Sequence, residues 1–124
     1  TIRKGQTTAK NLVTLITDAI QEKKGKNITV MDLNGLDGAV TDYFVICEGS
    51  STPHIDSIKD FIEKDVREKA GEKPWHVEGT TNKEWVLLDY VNVVVHIFNK
   101  EKRDFYNLEG LWADAAITEL QQEN

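Results

Sequence analysis

The sequence predicts a domain of the α/β (α+β) class, in which one mixed sheet of about five strands packs against helices. Its 124 residues are 40% hydrophobic and 29% charged, which is typical of a globular domain with a core of its own. Apolar residues switch between helical and strand-like spacing along the chain. No repeat or linker interrupts it, so we expect residues 1–124 to form a single domain, with elements in the order α-β-β-α-β-β-β-α.

The first elements are a helix and two strands. Apolar residues recur at helical spacing over residues 7–24, where Thr7 or Thr8 can cap the start. Residues 28–33 are rich in β-branched side chains and predict a strand. Residues 42–48 are almost continuously apolar, which predicts a central strand covered on both faces.

A second helix follows Gly49-Ser50-Ser51. Thr52 is the predicted N-cap, Pro53 suits the first helical position, and Gly71 ends the helix. Its predicted buried stripe contains Ile55, Ile58, Phe61, Ile62 and Val66.

The last part of the chain predicts a short strand at residues 75–78 and a hairpin formed by residues 84–90 and 92–99. A helix is expected over residues 101–121. Its predicted apolar face contains Phe105, Leu108, Leu111, Trp112 and Ala115.

Charge and composition exclude several functions. A net charge of -6 argues against a protein that holds nucleic acid through its phosphates, so we expect no direct sequence-specific nucleic-acid binding and favour a basic protein partner. With Cys47 as the single cysteine, no internal disulfide can form, and a reducing, cytoplasmic location is expected. No apolar run approaches the roughly 20 residues that span a bilayer, so no membrane association is expected.

Gly49-Ser50-Ser51, between a strand and a helix, could be a phosphate-binding turn or a plain turn with a cap. It lacks the spacing of a Walker A loop or a dinucleotide fingerprint. A nucleotidyltransferase would also need carboxylates that converge on a metal ion, whereas Asp56 and Asp60 lie one helical turn apart and predict a solvated face. The plain turn is favoured, and no catalytic residue is assigned.

The cysteine and histidines give no catalytic or metal site. Cys47 lies in an apolar strand and predicts a buried structural thiol. His54, His76 and His96 lack partners at metal-site spacing, so no metal or cofactor is expected. His54, at a helix start, is expected to be exposed. His96 is either a half-buried structural residue or a polar group at the centre of a binding face.

The hairpin predicts two apolar faces. Strand alternation places Trp85, Leu87 and Asp89 on one face, and Val86, Leu88 and Tyr90 on the other. On the second strand, Val94, His96 and Phe98 share a face. One face should cover the core, and the other must meet a helix, another subunit or a partner. With Lys100 and Arg103 at its rim, the aromatic cluster favours an interface.

Five linked segments resemble the ribosomal silencing factor family, also called the Iojap-like family. They are residues 42–51 (DYFVICEGSS), 77–79 (VEG), 85–90 (WVLLDY), 93–98 (VVVHIF) and 103–112 (RDFYNLEGLW). The resemblance covers residues 8–113 and is far more specific than any single motif. Two departures are Gly110, where a charged residue is commoner, and Val91-Asn92, where the family turn usually carries a Gly-Asp type pair.

The resemblance implies a nucleotidyltransferase-like fold without enzyme activity. Family members bind the large ribosomal subunit through ribosomal protein L-fourteen and sterically block association with the small subunit, which represses translation under nutrient limitation. The family contact surface implies partner-binding roles for Trp85, Leu88, Asp89 and Tyr90. His96, Lys100 and Arg103 are added on the geometric argument above.

Three further interpretations stay open at this point. The protein could be a large-subunit assembly factor without silencing activity. It could be a nucleotidyltransferase-like enzyme that uses Gly49-Ser50 and a carboxylate such as Asp56 or Asp89. The same apolar patch could also be buried in a two-fold homodimer.

Overall fold

The structure, a computed structural model, describes residues 8–120. In chain order the elements are α1 (Ala9–Glu22), β1 (Lys26–Asp32), β2 (Tyr43–Glu48), α2 (Thr52–Ala70), β3 (His76–Glu78), β4 (Trp85–Asp89), β5 (Val93–Phe98), α3 (Lys100–Tyr106), α4 (Leu108–Leu111) and β6 (Ala116–Glu119). The strands form one mixed sheet in the order β3-β4-β5-β2-β1-β6. β2 and β5 are parallel, and the other neighbours are antiparallel. The predicted mixed α+β class is confirmed.

The two long helices start at hydroxyl caps. Thr8 Oγ1 accepts the Asn11 N–H at 3.2 Å, which confirms one of the two predicted caps, whereas Thr7 lies outside the described residues. For α2 the cap is Ser51, whose Oγ accepts the His54 N–H at 3.2 Å. The prediction that Thr52 is the cap was wrong by one residue, because Thr52 is already helical.

The sheet separates two cores. On one face, α1 and α2 pack against apolar residues of the four central strands, and Ile16, Ile58, Ile62 and Leu88 are fully buried there. On the other face, a smaller core contains Met31, Phe44, Ile46, Phe98 and Leu108. β2 contributes alternate residues to both cores, as its continuous apolar run predicted.

The predicted helix over residues 101–121 is wrong, and the sheet has six strands instead of about five. Asn107 adopts a left-handed conformation (φ 48°) that ends α3, and its side chain accepts the Gly110 N–H at the start of α4. The chain then returns as β6, with Ala116 opposite Asp32 on β1. Ile117 and Thr118 are β-branched and suit this strand.

Among the helices within residues 8–120, none combines the length and the apolar character that crossing a bilayer requires.

Candidate functional site

The sheet face that carries α3 and α4 is only partly covered. Three large side chains of this segment are exposed, namely Phe105 (76%), Leu111 (72%) and Tyr106 (41%). The half-buried Trp85, Leu87 and Trp112 pack against the smaller core on the same face. We call these six residues the aromatic surface: Trp85, Leu87, Phe105, Tyr106, Leu111 and Trp112. Large apolar side chains left exposed together are typical of a binding surface.

Trp85, one residue of this surface, is held by contacts with three aromatic side chains. Its indole lies 5.0 Å from the Phe98 ring and 4.5 Å from the Tyr106 ring, measured between centroids. Its Nε1–H donates to Nδ1 of His96 at 3.0 Å. The aromatic surface therefore contains at least one side chain of fixed orientation, which lowers the entropic cost of binding.

His96 lies inside the smaller core, opposite Leu87 on β4 and Ile46 on β2. It is 3% exposed, and burial lowers the pKa of its imidazole to about 3. The partner-binding role of His96 stays a prediction, and the burial of the side chain argues against direct contact with a partner. His96 is also more deeply buried than the alternative, half-buried interpretation expected.

Leu88 and Tyr90 lie on the opposite face from Trp85, as alternation predicted. They are 0% and 5% exposed and pack in the core beneath α1 and α2. Burial raises the pKa of the Tyr90 hydroxyl. The two long helices cover the face to which Leu88 and Tyr90 belong, so Trp85 does not share an exposed patch with them. The partner-binding roles of Leu88 and Tyr90 stay predictions.

Arg103 was expected at the rim of the interface, but it is 7% exposed. Its Nη1 lies 3.1 Å from Glu48 Oε2 and donates to the Asn27 carbonyl at 2.6 Å. Its Nη2 donates to Thr29 Oγ1 at 2.9 Å and to Glu109 Oε2 at 3.0 Å. The guanidinium faces inward and joins α3 and α4 to the strands below them. The partner-binding role of Arg103 stays a prediction, and these internal hydrogen bonds argue against it.

Of the seven predicted partner-binding residues, the structure leaves Trp85, Asp89 and Lys100 accessible. Asp89 is half-buried, and its Oδ1 accepts the Val91 N–H at 2.7 Å in the hairpin turn. Lys100 is exposed and pairs with Asp104 at 3.0 Å, and this hydrogen bond raises the pKa of Lys100.

The Gly49-Ser50-Ser51 turn is already occupied by protein contacts. The Ser50 N–H donates to His54 Nδ1 at 2.9 Å, and Nε2 of the same imidazole lies 2.7 Å from the Lys23 carbonyl. His54 is therefore half-buried, and the expectation that it is exposed was wrong. At Gly49, a Cβ would lie 2.5 Å from an Ile55 side-chain carbon, which explains the glycine by close packing. These contacts match the plain turn-plus-cap interpretation.

The other candidates for catalytic chemistry are the Cys47 thiol and the carboxylates of Asp56 and Asp60, and their surroundings indicate structural roles. Cys47 is 0% exposed, and burial raises the pKa of its thiol to about 12, which confirms the prediction of a buried structural thiol. Asp56 pairs with Lys83 at 3.5 Å, and Asp60 pairs with Lys59 at 3.3 Å. Over residues 8–120, no three His, Cys, Asp or Glu side chains are grouped so that they could hold a metal ion.

Phe105, Tyr106 and Leu111 are the surface residues that the sequence did not predict. Phe105 and Leu111 were assigned to a buried helical stripe, but the helix is interrupted at Asn107 and both side chains are exposed. The sequence signal for this break is Asn107 with Gly110 three residues later, because Asn favours both helix caps and the left-handed conformation.

Comparisons with known proteins agree with the resemblance seen in the sequence. A family model described as "Ribosomal silencing factor during starvation" matches residues 6–124. The chain is 37% identical to the ribosomal silencing factor of Bacillus subtilis over 111 residues, which cover 90% of this chain and 92% of that protein. It is 36% identical to the ribosomal silencing factor of Halalkalibacterium halodurans over 110 residues, or 89% and 92% of the two chains.

A crystal structure from Chromobacterium violaceum is similar as well. It has a TM-score of 0.81 and 28% sequence identity, and the match covers 86% of this chain and 88% of that one.

Proposed function

Because this chain belongs to the ribosomal silencing factor family, we propose that it binds ribosomal protein L-fourteen on the large ribosomal subunit and sterically blocks association with the small subunit. It would thereby repress translation under nutrient limitation, in the cytoplasm. The aromatic surface is the observation that carries this proposal. It is the face on which Phe105, Tyr106 and Leu111 stay exposed while Trp85 is held in place.

The anatomy of this surface suits a protein partner. Trp and Tyr are enriched among the side chains that dominate binding energy, and a polar rim commonly surrounds them. Here the rim includes Lys100 with Asp104, and Lys102 with Glu84 at 3.6 Å. The net charge of -6 favours approach to a basic ribosomal protein and disfavours approach to RNA.

Steric exclusion requires no catalytic group, so we propose that the protein is not an enzyme. The nucleotidyltransferase-like alternative needs free backbone N–H groups at the Gly49-Ser50-Ser51 turn, where the Ser50 N–H is already donated to His54. A thermal shift with nucleoside triphosphate and Mg²⁺ would support that alternative instead.

Sucrose-gradient sedimentation tests the proposal, with purified subunits, the wild-type protein and the Trp85→Ala, Phe105→Ala double variant. The wild type should comigrate with large subunits and lower the joined-ribosome peak. The double variant should bind at least about tenfold more weakly, since a central aromatic contact is commonly worth about 2 kcal/mol. Phe61→Ala is the matched control, because Phe61 is a half-buried phenylalanine on α2, across the sheet.

The same gradient separates silencing from the assembly-factor alternative. A silencing factor acts on mature subunits and lowers the joined peak, whereas a pure assembly factor would leave mature subunits free to join. A wild-type protein that stays at the top of the gradient, with an unchanged joined peak, would contradict both ribosome-binding proposals.

We also propose that, away from the ribosome, two copies can bury the aromatic surface against each other in a two-fold homodimer. Dimer formation and subunit binding would then compete. Equal affinity of a crosslinked dimer and of the monomer for large subunits would contradict this.

A further inference from the structure

The smaller core contains a polar atom without a partner. His96 Nε2 is fully buried and has no hydrogen-bond partner among residues 8–120. The other ring nitrogen, Nδ1, accepts the Trp85 indole N–H at 3.0 Å. The surroundings of the imidazole are aromatic, with the Phe44 ring 4.7 Å away and the Phe98 ring 6.0 Å away between centroids. A buried polar group without a partner destabilises the fold and requires an explanation.

The hydrogen bond from Trp85 determines the tautomer of His96. An indole N–H can only donate, so Nδ1 must be the acceptor and carries no proton. The neutral imidazole then has its hydrogen on Nε2, the nitrogen without a partner. An apolar side chain of similar size would fill this position without burying a lone donor. The benefit of a histidine here therefore lies at Nδ1.

What Nδ1 provides is a fixed direction for the Trp85 indole. The indole N–H points inward to His96, while the ring packs against Phe98 and Tyr106. If the acceptor were lost, the half-buried N–H would have no partner in this apolar environment. Turning the N–H towards water would then lower the free energy of the protein.

We propose that His96 is a positioning residue, which sets the orientation of Trp85 on the aromatic surface by accepting its indole N–H. Because that N–H is occupied, a partner meets the carbon framework of the ring. The group that contacts Trp85 is therefore an apolar or cationic side chain, not a hydrogen-bond acceptor. The role in partner binding rests on the proposed function, whereas the effect on the indole does not.

Two substitutions of His96 isolate the acceptor. His96→Asn keeps an acceptor, because the amide oxygen of Asn can occupy the position of Nδ1. His96→Leu is of similar size and has none. Both are compared in ¹⁵N-labelled full-length protein through hydrogen exchange of the Trp85 indole N–H, whose resonance is identified by its absence in Trp85→Phe. Binding of each variant to purified large subunits is measured in parallel.

The indole N–H should stay protected in His96→Asn and exchange about 5- to 10-fold faster in His96→Leu, the factor expected when one hydrogen bond is lost. Subunit affinity should follow the same pattern, with His96→Asn within about twofold of wild type and His96→Leu weaker by a similar 5- to 10-fold. In a Trp85→Phe background, exchanging His96 for Leu should have no further effect on affinity, because the donor is already absent.

Equal protection of the indole N–H in wild type and His96→Leu would overturn the proposal. Equal indole exchange rates in His96→Asn and His96→Leu would overturn it as well. If His96→Leu fails to fold, His96→Phe replaces it, since it also lacks an acceptor and keeps a ring. Should the indole respond as expected while even the wild type fails to bind subunits, the proposed function fails and the positioning role stands.

Discussion

The guanidinium of Arg103 lies 3.1 Å from the carboxylate of Glu48, and both side chains are buried where β2 ends beneath α3. Thr29, Glu109 and the Asn27 carbonyl complete the hydrogen bonds of the guanidinium. One ion pair therefore connects the central strand of the sheet to the segment that carries Phe105 and Tyr106.

Removing one member of this pair is expected to be costly. Arg103→Met leaves the Glu48 carboxylate buried without its counter-charge, and we expect a loss of about 3–5 kcal/mol in the free energy of unfolding. Urea denaturation measures it. The double variant Glu48→Met, Arg103→Met should be more stable than Arg103→Met alone, because the buried carboxylate without a counter-charge is then removed, while Glu109, the other partner of Arg103, is partly exposed to water. Lys100→Met, in an exposed pair, is the control and should unfold like wild type. A single variant as stable as wild type would show that the pair contributes nothing.

Tyr90→Phe is expected to stabilise the protein. The Tyr90 hydroxyl is buried and has no hydrogen-bond partner among the described residues, so its removal should raise the free energy of unfolding by about 1 kcal/mol. Subunit binding should be unchanged, because Tyr90 lies beneath α1 and α2. Tyr106→Phe is the control for the stability measurement alone, because the Tyr106 side chain is already partly solvated and loss of its hydroxyl should leave the free energy of unfolding unchanged. A loss of subunit affinity in Tyr90→Phe would instead support the partner-binding role that the family resemblance implied.

Val91→Gly should also stabilise the protein. Val91 has a φ of 76° at the centre of a tight turn in which the Asn92 N–H donates to the Tyr90 carbonyl at 3.0 Å. A β-branched residue is strained there, by about 1–3 kcal/mol, and the entropy of glycine offsets about 0.5–1 kcal/mol of the relief. A net gain of about 1 kcal/mol in urea denaturation is therefore expected. The control is Val40→Gly, at another exposed valine that has no positive φ, where a small loss is expected.

The stability of the protein should depend on His96 below neutral pH. Burial lowers the pKa of folded His96 to about 3, whereas its unperturbed value is 6.5, and no charged side chain contributes to this shift. Between these values only the unfolded state takes up the proton. The stabilising effect of a neutral His96 is therefore complete above about pH 6.5 and declines as pH falls towards 3, by at most about 1.4 kcal/mol per pH unit.

Urea denaturation tests this at a series of pH values from about 4.5 to about 7, spaced by about half a unit. The loss of stability on acidification should be smaller in His96→Asn than in wild type, because Asn does not titrate. Parallel curves for the two proteins would contradict the shifted pKa. Comparing slopes removes any constant difference in stability between the variants.

Local sequence patterns predicted the elements that depend on near neighbours. The run over residues 42–48 predicts a doubly covered strand because it is almost continuously apolar, and the structure places it beside β1 and β5 in the middle of the sheet. The hairpin alternation was also correct, since Trp85 pairs with Phe98 and Leu87 with His96. The family resemblance is confirmed by the comparisons.

The errors concern partners that are distant in the chain. Arg103 belongs to a run of charged residues that predicts a solvated helix start, and its burial depends on Glu48, 55 residues earlier. Likewise, alternation separates Trp85 from Tyr90 but cannot tell which face the long helices will cover. The apolar spacing after Phe105 fits one continuous helix, and the left-handed conformation of Asn107 is not encoded in that spacing.

The pairing of β6 with β1 joins Ala116 to Asp32, and all the other strands of the sheet lie in the loop of chain that this pairing closes. Closing so long a loop is entropically unfavourable and makes this a late step in folding. Until then, the backbone N–H and C=O groups along the outer side of β1 have no partner and can pair with the same edge of another nascent molecule. A chain shortened before Ala116 would keep that edge permanently open. Its aggregation, rather than the loss of the β6 contacts themselves, would then limit its function in the cell.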